Sequence, residues 1–138
     1  PADRLISLDE AVHAALKPYE GQSGMAVAGP EVAIASKELT PLSLLLHERA
    51  TNAGKYGVLG PLEGRLEVRW DREQDGSVVL EWSEQYAQAT DVTEEKPGFG
   101  SILARMSAIQ LDGMVDTEIS PQCRTNRLRF VPADKIEA

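Results

Sequence analysis

The stretch His47-Glu48-Arg49-Ala50-Thr51-Asn52-Ala53-Gly54-Lys55-Tyr56-Gly57 sets three polar side chains, Glu48, Asn52 and Lys55, four and three residues apart. On a helix these spacings place side chains on one face. A carboxylate, an amide and an ammonium group are suited to hold a divalent cation together with the phosphates that share it. The stripe therefore predicts a site for Mg²⁺ and a polyphosphate.

A helix is the predicted structure of this stretch and of the residues before it. Thr40 is the predicted cap, Pro41 suits the first turn, and Gly57 is a suitable end. Apolar residues recur at helical spacing on the other faces of this helix: Leu42, Leu45, Leu46, Ala50 and Ala53. The stretch is thus predicted to be one amphipathic helix with a polar stripe.

Two further helices and two short strands are predicted around it. Residues 7–17 have apolar side chains at helical spacing, with Ser7 as a cap and Pro18 at the end. Residues 99–111 form the third predicted helix. Short apolar runs at 25–28 and 32–35, joined by a turn, indicate brief strands.

A hairpin is the clearest pattern elsewhere in the chain. Leu66, Val68 and Trp70 alternate with charged residues, and the same alternation follows a turn at 75–76. Residues 85–97 have no period and predict a loop, whereas 114–119 and 127–131 predict a last pair of strands. Leu128 and Phe130 are expected to face inward. The elements together predict a two-layer α/β sandwich, with three main helices on a mixed, mostly antiparallel sheet.

Composition limits the classes of partner. At 138 residues the chain is predicted to be a single domain over residues 1–138, and a chain that begins at Pro1 is interpreted as a fragment of a longer protein. The net charge of −8 argues against nucleic acid as a partner. Cys123 is the only cysteine, so an intrachain disulfide is excluded. No apolar run is long enough for a membrane span, and a cytoplasmic domain without direct membrane contact is expected.

Two later segments complete an ordered set of motifs. Trp82-Ser83-Glu84 ends the second hairpin strand, and Gly98-Phe99-Gly100 opens the third helix. With His47 in the first motif, this order resembles the nucleotide-binding catalytic domain of HWE-type sensor histidine kinases. The resemblance implies the Bergerat fold of the GHKL ATPase superfamily, with ATP and Mg²⁺ as cofactors. It also implies transfer of the γ-phosphate to a histidine on a dimerisation domain.

The resemblance assigns roles in the first motif. Asn52 is implied as the ligand of Mg²⁺ and as a catalytic residue, and Lys55 as a contact of the phosphates. Glu48 is the second implied catalytic residue, although it can equally orient a water, lie beyond the metal's direct ligands or stabilise the helix through its dipole. Tyr56 either packs near the base or fills the core. His47 is assigned a structural role.

Other roles concern the base and the phosphates. Glu84 matches an acid that accepts a hydrogen bond from the adenine amino group, and Trp82 is expected in the core. Gly98 and Gly100 are expected to let backbone N–H groups approach a phosphate. Thr125 matches a small residue close to the base, and residues 85–96 form the candidate lid.

The sequence departs from the family at three positions. Tyr86 and Ala87 stand where the family has paired glycines, and Arg49 stands where relatives carry an apolar residue. Tyr86 and Ala87 favour a second hypothesis, a degenerate domain that binds no ATP and serves as a docking module in a phosphotransfer protein. An anti-sigma-type serine kinase is a third hypothesis, less favoured because of the Trp-x-Glu motif.

A phosphoacceptor is not evident among the histidines. The chain has only His13 and His47, and the residues around His13 do not resemble an acceptor motif. The expected partners are therefore a dimerisation and phosphoacceptor domain of the parent protein and a downstream response regulator.

Overall fold

The structure, a computed structural model, describes residues 6–22, 24–89 and 99–132, with backbone only for 99–101. Its helices are α1 (Leu8–Leu16), α2 (Ser36–Tyr56) and α3 (Phe99–Gln110), with a short 3₁₀ helix at Lys17–Tyr19. Its strands are β1 (Ile6–Ser7), β2 (Met25–Ala28), β3 (Ala33–Ile34), β4 (Gly64–Arg72), β5 (Val78–Tyr86), β6 (Met114–Ser120) and β7 (Cys123–Phe130).

Five strands form one sheet in the order β2-β4-β5-β7-β6, and β1 pairs separately with β3. The β2–β4 pair is parallel and the other pairs of the large sheet are antiparallel. Helix α2 lies between α1 and α3, because it contacts both. The predicted two-layer α/β sandwich, with three main helices on a mixed and mostly antiparallel sheet, is confirmed.

The predicted hairpin is the centre of the sheet. Strands β4 and β5 pair in antiparallel register, with Val68 opposite Trp82 and Trp70 opposite Leu80. All four of these side chains are buried. The alternation of the sequence therefore marks the face that the helices cover, and the prediction that Trp82 lies in the core is confirmed.

Helix α2 begins earlier than the sequence predicted. It starts at Ser36, so the prediction that Thr40 caps it is wrong. The Glu38 carboxylate accepts a hydrogen bond from the Ala35 N–H at 3.0 Å and satisfies one of the first amide groups. Pro41 lies inside the helix, where its missing N–H removes one backbone bond. The helix ends at Gly57 as predicted, with the Gly57 N–H donating to the Ala53 carbonyl at 3.0 Å.

Helix α1 agrees with its prediction. The Ser7 hydroxyl accepts a hydrogen bond from the Glu10 N–H at 3.1 Å, and the Glu10 carboxylate accepts from the Ser7 N–H at 3.2 Å. This reciprocal capping box fixes where the helix starts. The apolar face of α1, which includes Leu8 and Val12, belongs to the hydrophobic core shared with α2 and the sheet.

Two strands extend further than the sequence predicted. Strand β5 continues to Tyr86, so the prediction of a loop from residue 85 is wrong at its first two positions. Strand β7 begins at Cys123 instead of Arg127. Its backbone pairs with β5 on one side and β6 on the other, and this pairing extends the strand despite its polar residues. Leu128 and Phe130 are buried as predicted.

Residues 90–98, which hold most of the predicted lid, lie outside the described residues. None of the described helices is both long enough and apolar enough to span a membrane.

Candidate functional site

The polar stripe predicted from the sequence lies on α2. Glu48 and Asn52 are partly exposed, and Lys55 is exposed near the C-terminal end of the helix. The stripe adjoins the buried face of α2, because Arg49 and Ala53 are next to its members and are buried. The structure therefore brings Glu48, Asn52 and Lys55 together at the border between core and solvent.

The neighbours of α2 show which flank this stripe occupies. A Cβ atom on Gly54 would collide with the Tyr19 hydroxyl, so the chain after α1 packs closely on the Gly54 flank. Gly54 lies about 200° around the helix from Asn52 at 3.6 residues per turn. Leu45 and Arg49, on the Asn52 side, line a cavity together with Ile102 of α3. The stripe thus borders the side of α2 that faces α3.

Glu84 lies on the buried face of β5, inside the strand and not at its end as predicted. Its side chain is 5% exposed, and Oε1 accepts a hydrogen bond from the Val58 N–H at 3.2 Å. A Cβ atom on Gly57 would collide with this carboxylate, so the turn after α2 needs glycine to pack here. The turn after α2 and the C-terminal part of β5 are therefore held together at Glu84.

The environment of Glu84 raises the pKa of its carboxyl group. Burial is the largest cause, because it disfavours the charged form. The Val58 N–H and the positive charges of Arg124 and Arg49 oppose the rise. Arg124 is the direct partner of Glu84 on β7. A carboxylate that is buried next to two arginines is suited to accept a hydrogen bond from a ligand donor.

Arg49 is a buried charge in this region, with 6% of the residue exposed. Its Nη1 donates to the Asn126 side-chain oxygen at 3.2 Å, and the same oxygen accepts from the Thr117 hydroxyl at 2.8 Å. Asn126 lies on β7 opposite Trp82. Arg49 is thus a near-core charge that connects α2 to β7.

Trp82 contributes a second polar group to the same face. Its indole N–H is buried and has no hydrogen-bond partner among residues 6–22, 24–89 and 99–132. It is nevertheless close enough to Glu84 to lower the pKa of that carboxyl group. Trp82 is therefore an electrostatic neighbour of Glu84.

Thr125 is not brought to this face. It is the β7 partner of Ser83, and its hydroxyl lies 3.3 Å from the Ser83 hydroxyl. Successive side chains of a strand point to opposite faces, so Thr125 is on the face away from the helices while Glu84 is on the face toward them. Thr125 therefore does not share a face with Glu84, and its predicted place beside the base stays a prediction. Arg124 and Asn126 are the β7 residues on the Glu84 face.

The two tyrosines near the site differ in burial. Tyr56 is 71% exposed, so the alternative that it fills the core is wrong. Tyr86 is partly buried at the end of β5, and burial, with a smaller contribution from Glu84, raises the pKa of its hydroxyl to about 12. Its backbone N–H donates to the Gln122 carbonyl at 2.8 Å. Tyr86 thus belongs to the sheet at the position where the family has glycine.

The glycines before α3 are described only in part. Gly98 lies outside the described residues, and Gly100 is in the first turn of α3. The start of a helix presents unpaired backbone N–H groups. The role of Gly98 and Gly100 as phosphate contacts stays a prediction.

A cavity of about 560 Å³ lies between α2, α3 and the sheet. Its walls include Arg49, Trp82 and Asn126 together with apolar side chains such as Leu46 and Leu128. The residues lining it do not include Glu84 or Asn52, so it adjoins the predicted site at Arg49 instead of containing it.

The donor set fits a Mg²⁺ that is shared with phosphates. Among the residues that the structure describes, no group of three or more His, Cys, Asp or Glu side chains is placed to hold a metal. Mg²⁺ bound with nucleotide usually takes only one or two protein ligands and keeps waters and phosphate oxygens. The Asn52 amide oxygen, with the Glu48 carboxylate four residues before it, is sufficient for that kind of site.

The two histidines occupy helix surfaces. The His47 Nδ1–H donates to the Ser43 carbonyl at 2.8 Å, and the His13 Nδ1–H donates to the Asp9 carbonyl at 2.9 Å. The two histidines thus make the same local contact, and the structural role of His47 stays a prediction.

Asn126 and Arg124 are the residues that sequence reasoning missed. Alternation along β7 could have identified them, because one face of this strand carries Arg124, Asn126, Leu128 and Phe130. The predicted strand began at residue 127, so the first two members of this series were not included.

Comparison with known proteins finds relatives in sequence. No protein-family model matches the chain. It is 34% identical over 124 residues to a blue-light-activated histidine kinase from Erythrobacter litoralis, an alignment that covers 87% of the chain and 34% of that protein. A histidine kinase of the same description from Rhizobium johnstonii is 31% identical over 99 residues, covering 71% of the chain and 28% of that protein. The chain thus spans about a third of the length of these relatives.

Solved structures share the fold. The catalytic domain of the histidine kinase ThkA superposes with a TM-score of 0.71 at 11% identity, covering 94% of this chain and 96% of that one. The fold, the ordered motifs and the sequence relatives agree with one another. The chain therefore belongs to the HWE-type histidine kinases, and its fold is the one seen in histidine kinase catalytic domains.

Proposed function

We propose that the chain binds Mg²⁺ and ATP and passes the γ-phosphate to a histidine on a dimerisation domain of its parent protein. One observation carries the proposal. The Glu48, Asn52 and Lys55 stripe and the buried Glu84 carboxylate lie at the same end of α2, with Glu84 bonded to the turn that ends the helix. The proposed phosphate-binding end and the proposed base-binding end are thus adjacent.

The base end is proposed to recognise adenine through Glu84. An ionised carboxylate only accepts hydrogen bonds, and the exocyclic amino group of adenine is a donor. A buried acceptor of this kind rejects a ligand that offers no donor, because the acceptor would be left unpaired. Tyr86 is proposed to border the base, since it lies two residues after Glu84 on the same face of β5.

The phosphate end is proposed to act through position and charge. Asn52 would hold Mg²⁺ with Glu48 near it, and Lys55 would place a positive charge near the phosphates. The cation neutralises charge on the transferred group when it is bound. Gly100 and Gly98 would let backbone N–H groups approach the phosphates. Little covalent chemistry is required of these residues, because phosphoryl transfer depends mainly on positioning and electrostatic stabilisation.

The partners follow from the reaction. The chain covers only 34% of its Erythrobacter relative, so a phosphoacceptor domain elsewhere in the parent protein is proposed as the acceptor. A response regulator is proposed as the next protein to receive the phosphate.

The proposal is tested by autophosphorylation of the full-length parent protein with γ-labelled ATP. We expect Mg²⁺-dependent label that is lost in acid and retained in base, as for a phosphohistidine, and lost in Asn52→Ala. Thr51→Ala is the matched control, because Thr51 is the exposed neighbour of Asn52 on α2. Label on serine or threonine in a substrate would instead support the anti-sigma type of kinase.

One observation favours the second hypothesis, a docking module without ATP binding. The Tyr86 backbone is fixed in β5 by its bond to Gln122, where the family has a glycine. Tyr86→Gly separates the two hypotheses. If the tyrosine blocks the base, the wild type fails to bind nucleotide and Tyr86→Gly restores binding. If the tyrosine borders the base, the wild type binds.

A further inference from the structure

Gly57 is the residue that determines where the Glu84 carboxylate can lie. A Cβ atom built on Gly57 would collide with Oε1 of Glu84 and would lie 3.1 Å from Cδ of the same side chain. The Val58 N–H, one residue further along the chain, donates to that same Oε1 at 3.2 Å. One oxygen of the carboxylate therefore lies against the backbone of the turn, in space that a glycine leaves open.

The backbone of Gly57 is held on both sides. Its N–H donates to the Ala53 carbonyl at 3.0 Å, and its carbonyl accepts from the Gly60 and Leu62 N–H groups at 3.1 Å each. The added Cβ atom would also lie 3.2 Å from Cα of Ala53, closer than normal van der Waals contact between carbon atoms. A shift of the turn away from Glu84 would have to break these backbone hydrogen bonds.

The backbone of Glu84 is held as well. Strand β5 is paired on both sides, with Leu66 of β4 and Arg124 of β7 opposite Glu84. The carboxylate is therefore the flexible end of the contact, and a side chain at residue 57 would be accommodated by rotation of the Glu84 side chain. That rotation would take the carboxylate away from the Val58 N–H and change the direction of both oxygens. Gly57 thus controls the geometry of a group to which it contributes no atom.

We propose that Gly57 is a positioning residue for base recognition, because it leaves the space in which the Val58 N–H holds Oε1 of Glu84 while Oε2 is directed to the amino group of adenine. This inference rests on the proposed function, since it concerns the same contact with the base. A carboxylate has two acceptor oxygens, so the protein can hold one while the ligand binds the other. Gly57 and Glu84 are then a size-matched pair. The shorter side chain of aspartate at position 84 would leave room for the Cβ atom of alanine at position 57.

The test compares two nucleotides that differ only at the amino group of the base. Non-hydrolysable analogues of ATP and of purine riboside triphosphate, which carries hydrogen in place of the adenine amino group, are titrated into the chain with Mg²⁺. The selectivity ratio is the Kd of the purine riboside analogue divided by the Kd of the ATP analogue. Both analogues have the same ribose and phosphates, so this ratio reports on the contact with the amino group and not on the phosphate end.

The variants are Gly57→Ala, Glu84→Asp and the double variant that combines them. The matched control is Gly54→Ala, which also adds a methyl group to a closely packed glycine near the end of α2. There the added Cβ atom would meet the Tyr19 hydroxyl instead of Glu84. Both alanine variants therefore disturb packing, whereas only Gly57→Ala displaces the carboxylate. Circular dichroism establishes that each protein is folded.

We expect a wild-type selectivity ratio of about ten or more, because purine riboside cannot donate the hydrogen bond that the charged carboxylate accepts from adenine. In Gly57→Ala the ratio should fall by about tenfold, since the displaced carboxylate no longer faces the amino group. Gly54→Ala should keep the wild-type ratio. In the double variant the ratio should exceed that of each single variant by about threefold or more, because substitutions of contacting residues are not additive.

A wild-type ratio near one would overturn the inference together with the role of Glu84 in base recognition, while nucleotide binding stands. An unchanged ratio in folded Gly57→Ala would show that Gly57 serves packing alone, while the proposed function stands. A double variant whose ratio does not exceed that of Glu84→Asp would show the same, and this comparison decides the question if Gly57→Ala by itself does not fold. Absence of binding of both analogues to wild type would contradict the proposed function and the inference with it.

Discussion

The two ends of the site are held in different ways. At the proposed base end, Glu84 is fixed by a hydrogen bond from the turn after α2, and the neighbouring Arg49–Asn126 bond joins α2 to β7. The proposed phosphate end consists of Glu48, Asn52 and Lys55, which are partly or fully exposed on the surface of α2. The base end is thus built by packing, whereas the phosphate end is an arrangement of side chains that a ligand must complete. Substitutions at the base end should therefore affect folding and binding together, and substitutions at the phosphate end should affect binding alone.

The largest expected effect is at Asn52. Asn52→Ala removes the proposed Mg²⁺ ligand, so nucleotide affinity should fall by at least the roughly 10–100-fold typical of losing even an outer-shell partner of a metal. The free energy of unfolding should stay within about 0.5 kcal/mol of wild type or increase, because alanine favours a helix surface. Nucleotide titration and urea unfolding measure the two quantities. If Asn52→Ala lowered the free energy of unfolding as much as substitutions at the base end do, the contrast between the two ends would disappear.

Substitutions of Glu84 should instead affect both the free energy of unfolding and nucleotide affinity. Glu84→Ala leaves the Val58 N–H without its acceptor, and leaving a buried donor unpaired costs about 1–3 kcal/mol of unfolding free energy. Glu84→Gln keeps an acceptor oxygen for Val58 and removes the charge. It should therefore retain more stability than Glu84→Ala while ATP affinity falls about tenfold or more, since a hydrogen bond to a charged group is lost. Chemical denaturation and nucleotide titration distinguish the two variants. Equal stability of both variants would show that the Val58 contact is unimportant.

The titration of Glu84 should make both stability and nucleotide binding depend on pH. Burial raises the pKa of Glu84 above its ordinary value of 4.5, so the folded state holds this proton at a pH where the unfolded state has released it. The contribution of Glu84 to the free energy of unfolding is therefore greatest at acid pH. It decreases as pH rises from the ordinary pKa through the raised pKa of the folded state. Nucleotide binding should change in the other direction, because the adenine amino group requires the ionised carboxylate.

Unfolding and binding measured between pH 4 and pH 8 test this linkage, and the informative part begins at the ordinary value of 4.5 and extends upward, because the pKa in the folded state lies above it. The matched control is Glu84→Gln with the same nucleotide, which cancels the titration of the phosphates. Identical pH profiles for the two proteins would contradict the role of Glu84.

The smallest expected effect is that of Trp82→Phe. Trp82→Phe keeps most of the buried ring and removes the indole N–H that has no hydrogen-bond partner among the described residues. Its free energy of unfolding should change by less than about 1.5 kcal/mol, whereas Trp82→Ala should lose about 3–5 kcal/mol through the cavity it creates. Thermal or urea unfolding measures both. A large loss in Trp82→Phe would show that the indole N–H contributes to stability, and a parallel loss of nucleotide affinity would add Trp82 to the base end.

The contrast between the two ends also explains what the sequence could predict. The stripe on α2 and the alternation of the hairpin are local patterns, and both are present in the structure as predicted. The start of α2 was wrong because the Glu38 bond to Ala35 was not recognised as a helix start, and because Pro41 is tolerated inside the helix.

The base end was predicted less completely, since it depends on contacts between distant residues. The face of Thr125 follows from the register of β7 against β5, which the sequence does not specify once the start of the strand is misplaced. The bond between Arg49 and Asn126 joins residues 77 positions apart. Local periodicity contains no information about such a pair, although alternation along a correctly bounded β7 would have placed Asn126 on the helix-facing side.

The measurement that tests the central claim most directly is calorimetric titration of the chain with a non-hydrolysable ATP analogue, with and without Mg²⁺. Wild type, Asn52→Ala and the control Thr51→Ala are compared. The account predicts saturable, Mg²⁺-dependent binding by wild type and Thr51→Ala that is lost in Asn52→Ala. Absence of heat and of competition by nucleotide up to millimolar concentration in the folded wild type would contradict it.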